Sequence, residues 1–235
     1  MNKFGSIFEK YVGDSIAKTR IKYFNEKELA DILPGEGKLV DYLLMDMNNR
    51  IFIDAKGVEM SYLGMVGHQP EIITDKTRDS IVKGIEQGLE TAKRLKKLGR
   101  IGEMEIGKGD NYLIIVTFKD MYVGNGVDFY EYIAKDTLNK IIGQSDNMAS
   151  IPFEHMYFMS IDDFDLLTSG IASGGINLTE ILDHAVKCDA LSQTKKFTFE
   201  QHIYDKYPKT QAPVWLVNES KYILEHCRLR FNAKT

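Results

Sequence analysis

Cysteine is scarce. The 235-residue chain has two, Cys188 and Cys227. Neither has a partner at metal-ligand spacing, so the sequence gives no zinc site and no disulfide framework. Two idle thiols in a reducing compartment are the expectation. No apolar run reaches the roughly 18 residues that a membrane helix needs, and Met1-Asn2-Lys3-Phe4 does not open into the apolar stretch of a secretory signal. A cytoplasmic protein without a membrane partner is therefore expected. A basic surplus is also missing. The net charge of -4 excludes a chain that coats nucleic acid by charge alone, which requires clustered Lys and Arg. It leaves room for an enzyme with an acidic metal cluster and a local basic stripe. There is no glycine-rich phosphate loop, no serine elbow and no cysteine and histidine pairing, and no internal repeat or low-complexity tract.

What is present is a chain that folds by burial. Hydrophobic residues make up 43% and charged residues 27%, within the soluble globular range. Phe4, Ile7, Phe8, Tyr11, Val12 and Ile16 recur at helical spacing and predict an opening helix to about Lys18. Glu9 sits at its edge, with Gly5 and Gly13 one turn either way, and glycines inside a helix ask for a close approach. After the turn residues Leu33 to Lys38, Leu39 to Met45 reads as a strand, Asn48-Asn49 as a hairpin tip and Arg50 to Lys56 as the returning strand. Alternation then puts Ile51 and Ile53 on one face and Phe52, Asp54 and Lys56 on the other.

Further along, 57–74 reads as an irregular stretch containing His68 and Gln69, of the length that serves as a binding loop or lid. Asp75 to Leu98 reads as a long helix stopped by Gly99. Tyr112 to Phe118 has the unbroken apolar run of a strand buried on both faces. Val127 to Ile142 reads as a helix and Met156 to Ile161 as a short strand. The aromatics from Phe153 to Phe164 fit a core better than a base-stacking platform. Ser169 to Asn177 is the candidate linker, with helices at Leu178 to Val186 and Lys221 to Arg228 beyond it.

The chemistry concentrates on the hairpin. Antiparallel strands run about 5 Å apart, so Asp41 and the Asp54-Ala55-Lys56 end of the next strand fall side by side. Two converging carboxylates are what a hard divalent cation takes from a protein. A lysine on the same strand face can stabilise developing negative charge or orient the attacking water.

Val40-Asp41 followed by Ile51-Phe52-Ile53-Asp54-Ala55-Lys56 resembles the signature of the PD-(D/E)XK restriction-endonuclease-like nuclease superfamily, with valine where the name-giving motif has proline. The order of a Glu9 helix, the acidic hairpin, a long helix and a buried strand ending at Phe118 is similar to that family's core. The resemblance implies an α/β fold with a central mixed sheet flanked by helices. It implies metal-dependent cleavage of phosphodiesters, with Asp41 and Asp54 as metal ligands, Lys56 as the catalytic lysine and Glu9 as the extra acid of the first helix. The expected ion is Mg²⁺ or Mn²⁺, held also by the Ala55 carbonyl, with Glu9 entering directly or through water. DNA is the substrate by the family's habit, RNA remains open, and restriction or anti-phage defence is the expected role, with repair behind it.

The division expected is a nuclease core over 1–168 and a helical extension over 169–235 packed on it. A homodimer is expected, since double-strand breakage favours two symmetric sites. On the long helix Lys76, Lys83, Gln87 and Arg94 share a stripe and are the candidate substrate contacts, a solvated face being the alternative. Gln87 also matches a polar residue that some family members place there. The Lys93 to Arg100 cluster fits phosphate binding or neutralisation of a helix end. A nuclease-like module that binds nucleic acid or a partner protein without cutting is the alternative function.

Overall fold

The computed structural model describes residues 3–33, 35–57, 70–101, 104–106, 108–143 and 151–232, with side chains described except at 70–78, 104–105 and 229–232. Helix α1 (Lys3–Lys18) buries Phe8, Val12, Ser15 and Ile16, while Ile7, counted above on the apolar stripe, is exposed. Strand β1 (Lys22–Asn25) and helix α2 (Glu26–Ile32) follow, where the sequence had suggested no element. The overlooked signal is a capping box. The Asn25 side chain accepts from the Glu28 amide at 3.0 Å and the Glu28 carboxylate from the Asn25 amide at 2.9 Å, which fixes the start of α2.

Strands β2 (Tyr42–Asp46) and β3 (Asn49–Lys56) form the expected antiparallel hairpin, with Tyr42 opposite Ile53 and Asp46 opposite Asn49. The tip is thus Met47-Asn48, one residue before the expected position. Met47 takes the positive φ of 53°, and Asn49 is drawn into the ladder, its Oδ1 accepting from the Asp110 amide at 2.8 Å. Helix α3 (Pro70–Leu98) begins earlier than expected, proline being well suited to a first helical position; 70–74 is therefore helical. His68 and Gln69 lie outside the described residues. Gly99, at φ 72°, ends α3. A small antiparallel pair, β4 (Arg100–Ile101) and β5 (Met104–Glu105), follows.

Strand β6 (Asn111–Thr117) lies parallel to β3, and β7 (Met156–Ser160) lies parallel to β6. The result is a five-stranded mixed sheet of order β1-β2-β3-β6-β7. A helical stretch over 126–143, here α4, joins β6 to the turn Phe153–His155, and its Phe129–Ala134 segment is π-helical. Ser160 leaves β7 to cap helix α5 (Ile161–Ala172), accepting from the Asp163 amide. Helices α6 (Leu178–Asp189), α7 (Phe199–Lys206) and α8 (Val214–Asn232) complete the chain.

The alternation of β3 sorts the two sides. Phe52, Leu43, Leu113 and Ile115 pack with Ile81, Ile85 and Leu89 of α3. Ile51, Ile53, Tyr112, Ile114 and Val116 pack with Phe8, Val12 and Ile16 of α1 and with Phe164, Leu182 and Ile203 of α5, α6 and α7. Tyr157 and Phe164 are buried within that second layer. Ser169 begins the last turn of α5 rather than a linker. Gly170 there is packed against Ile176, and the Gly170 carbonyl accepts the amides of Gly175 and Ile176. Residues on both sides of 168 thus share one core layer. Along α8, by contrast, Val214, Trp215, Tyr222 and Leu224 are exposed. No helix among the described residues is long and apolar enough to cross a membrane.

Candidate active site

Asp41 stands just before β2, where the chain has passed the end of β1. Its segment is held instead by α3: the Val40 amide donates to Thr91 Oγ1 at 3.1 Å, and Gln87 Nε2 donates to the Leu39 carbonyl at 2.7 Å. Asp41 Oδ2 then accepts the Ala55 amide at 2.7 Å, which ties it to β3 beside Asp54. The two aspartates and Lys56 therefore converge at the open end of the hairpin.

Asp54 points toward α3 and is 0% exposed. Lys56 Nζ lies 2.5 Å from its Oδ2 as an ion pair, and among the described residues Asp54 Oδ1 has no hydrogen-bond partner. Lys56 donates its own hydrogen bond to Gln87 Oε1 at 2.8 Å, so Gln87 bridges the lysine and the Leu39 carbonyl. Gly84 makes this depth possible. A Cβ there would lie 2.9 Å from Asp54 Oδ2 and 2.8 Å from Ile115 Cδ1, so only a bare backbone lets α3 lie so close to the carboxylate.

Helix α1 approaches from the other side. Gly13 leaves room for the Tyr42 ring, whose hydroxyl donates to the Glu9 carbonyl at 3.0 Å. This docks Glu9 over Asp41. Glu26, the first residue of α2, joins them: one carboxylate oxygen from each of Glu9, Glu26 and Asp41 lies within 4.8 Å of the others. Asp54 sits deeper than this triplet. A cleft of about 480 Å³ opens over the triplet, lined by the three acids together with Lys10, Lys27 and Tyr23 among others.

The acids are held against their nature. Burial, then Asp54, then Glu9 push the Asp41 carboxyl up to about 7, against the opposing Ala55 amide and Lys56. Burial raises Asp54, with Lys56 pulling it back. Burial raises Glu9 as well, followed by repulsion from Glu26 and Asp54. Positive charge supplied nearby favours the ionised form of crowded carboxylates of this kind. An all-oxygen donor set that includes the buried, unpartnered Asp54 Oδ1 suits a hard divalent cation, so the residues present fit Mg²⁺ or Mn²⁺.

Of the residues singled out from the sequence, Glu9, Asp41, Asp54, Ala55, Lys56 and Gln87 are brought together. Lys83 is exposed on α3, and the side chain of Lys76 lies outside the described residues. Arg94 departs from the expected phosphate-gripping edge. It is 6% exposed and donates to Glu90 Oε1 at 2.9 Å, to the Gly35 carbonyl at 3.3 Å and to the Glu36 carbonyl. The turn at 35–37 folds over that part of the helix, so the guanidinium clamps the turn. Sequence reasoning missed Glu26, whose helix the Asn25–Glu28 capping box announces without placing it at the site, and the cleft cations Lys10 and Lys27, which have no signal short of the fold.

No family model and no curated protein matches the chain. Among solved structures, the chain is similar to the small subunit of the heterodimeric restriction endonuclease R.BspD6I. That likeness has 14% identity, spans 83% of each chain and has a TM-score of 0.39.

Proposed function

We propose that the chain is a metal-dependent nuclease that hydrolyses phosphodiesters, with DNA as substrate. The observation that carries this is the meeting of Asp41, Asp54 and Lys56 at one hairpin end, with both carboxyl groups raised by burial and that of Asp41 raised further by Asp54. Asp41, Asp54, the Ala55 carbonyl and Glu9 would hold Mg²⁺ or Mn²⁺, with Glu26 the added candidate ligand. A bound ion supplies a more acidic water and polarises a phosphoryl oxygen.

The chain's own residues do the rest. Lys56, steadied by Gln87, orients the attacking water and faces the charge that develops on phosphate. Lys10 and Lys27 on the cleft walls, with Lys76 and Lys83 on α3, hold the nucleic-acid backbone. A symmetric homodimer would cut both strands, and defence against foreign DNA is the role proposed for such breakage.

Supercoiled plasmid, linear duplex and single strands, each with Mg²⁺, Mn²⁺ or chelator, test the proposal. Cleavage by the parent, lost in Asp54→Asn and Lys56→Ala, is expected; equal cleavage by all three proteins overturns it. Light scattering of the same samples reads the subunit count. One observation favours the alternative of a binding module that does not cut: Asp54 is fully buried with Lys56 already on it. A folded parent that takes up no Mn²⁺ in calorimetry yet retains duplex DNA would establish that alternative.

A further inference from the structure

A second ligand cluster stands apart from the hairpin. His184 and Cys188 are one helical turn apart on α6 and so share a face. Asp205 reaches them from α7. His184 Nε2 lies 2.8 Å from Asp205 Oδ2 and 3.4 Å from Cys188 Sγ, and the three ligand atoms are all within 4.8 Å of one another. A tetrahedral zinc ion, with a metal-sulfur bond of about 2.3 Å and metal-nitrogen or metal-oxygen bonds of about 2.0–2.2 Å, spaces its ligand atoms by roughly 3.3–3.6 Å. The two spacings on His184 Nε2 depart from that by about half an ångström at most. Side-chain rotation on two packed helices is enough to close the gap.

We propose that His184, Cys188 and Asp205 form a binding site for a transition-metal ion of the zinc class, which clips α6 to α7. One thiolate, one imidazole and one carboxylate are a borderline-soft donor set that selects such ions over magnesium. The oxygen-only group of Glu9, Glu26 and Asp41 has the reverse preference, so the two clusters sort by chemistry. Three protein ligands leave one position for water, consistent with the partial exposure of His184 and Asp205.

The surroundings leave the right atoms free. Lys196 takes the other Asp205 oxygen, Oδ1, at 3.3 Å. His202 is not a competing ligand: its Nε2 lies 3.2 Å from Asp189 Oδ1, and its ring stands 6.5 Å from that of His184. On binding, the Cys188 thiol gives up its proton to solvent, and His184 carries its remaining proton on Nδ1 so that the Nε2 lone pair faces the ion.

Co²⁺ is the probe, titrated into the full chain carrying Cys227→Ser so that Cys188 is the lone thiol. Tetrahedral cobalt bound to a thiolate gives a charge-transfer absorption that carboxylate sites lack. We expect that band to saturate at a single equivalent, to bleach on adding Zn²⁺, and to vanish in Cys188→Ser. His184→Ala and Asp205→Asn should each weaken binding by at least the roughly 10- to 100-fold that follows loss of a mere outer-shell partner. Circular dichroism confirms that each variant is folded. Absence of the band in the parent overturns the proposal, as does a band of unchanged affinity in His184→Ala.

Discussion

Gly5, Gly84 and Gly88 all lie inside helices, where alanine is favoured over glycine by up to about 1 kcal/mol. Propensity alone thus predicts that each Gly→Ala change stabilises the protein. Their surroundings separate them. An added Cβ at Gly5 meets nothing within 4 Å, so Gly5→Ala should gain about 0.5–1 kcal/mol. At Gly88 it would lie 2.8 and 3.0 Å from the two terminal methyls of Leu113, which is itself fully buried and has little room to turn.

At Gly84 the same methyl would press on Ile115 and on the Asp54 carboxylate, both on central strands. Overpacking of this kind costs about 1–3 kcal/mol, so after the helix gain Gly84→Ala should lose up to about 2 kcal/mol. At roughly 2–4 °C per kcal/mol for a chain of this size, thermal melts in chelator should rank Gly5→Ala above the parent and Gly84→Ala lowest, as much as about 8 °C below it. Gly84→Ala should also cut plasmid more slowly than Gly88→Ala, because, of the two added methyls, that at Gly84 is the one pressing on the Asp54 carboxylate. A Gly84→Ala protein that melts at or above the parent would refute the close approach of α3 to the carboxylate.

Asp41 supplies a pH prediction. Its carboxyl is held at about 7 in the fold against roughly 3.9 unfolded, so between those values the unfolded chain is ionised while the folded one stays protonated. Stability therefore falls as pH rises through that window, by about 4 kcal/mol once both states are ionised, a cost shared with Asp54 and Glu9. In chelator Asp41→Asn should recover about half of this, raising Tm at pH 8 by about 4–8 °C and by nothing at pH 4; a gain independent of pH argues against that origin. Arg94→Ala strands two carbonyls at the 35–37 turn and should cost about 2–3 kcal/mol. It should leave the salt dependence of DNA binding unchanged, and a shallower slope would return Arg94 to the phosphate-binding set. Gln87→Leu frees Lys56 and the Leu39 carbonyl together, so the rate of cleavage at saturating DNA should drop on the order of 10- to 100-fold; an unaltered rate would remove Gln87 from the positioning of the lysine.

The hairpin and the placement of Asp41 beside Asp54 and Lys56 were legible because they depend on local rules. A period of two puts Asp54 and Lys56 on one side of β3, and a short turn brings Asp41 alongside. The long buried run of β6 and the helical stripe of α3 were legible for the same reason. Glu26 was not, because its place in the cluster depends on how the fold brings the start of α2 to the same cleft as α1 and Asp41, which no spacing records. Arg94 misled through a correct helical period: the stripe is real, but a turn distant in sequence covers its last member. The sequence was read as having no cysteine and histidine pairing, yet Cys188 Sγ lies 3.4 Å from His184 Nε2 one helical turn away; the grouping with Asp205 was not legible, because that residue arrives from another helix.

The parallel pairing of β3 with β6 also has a consequence for synthesis. A lone two-stranded hairpin is marginal in water, and the neighbour that sandwiches β3 is translated only after the whole of α3. Until Asn111–Thr117 has left the ribosome and docked, the acidic cluster has no scaffold to gather it. A nascent chain truncated before that strand should carry the full signature in its letters and none of the assembled centre, so the cell meets the finished cluster only in a chain already long enough to be folded.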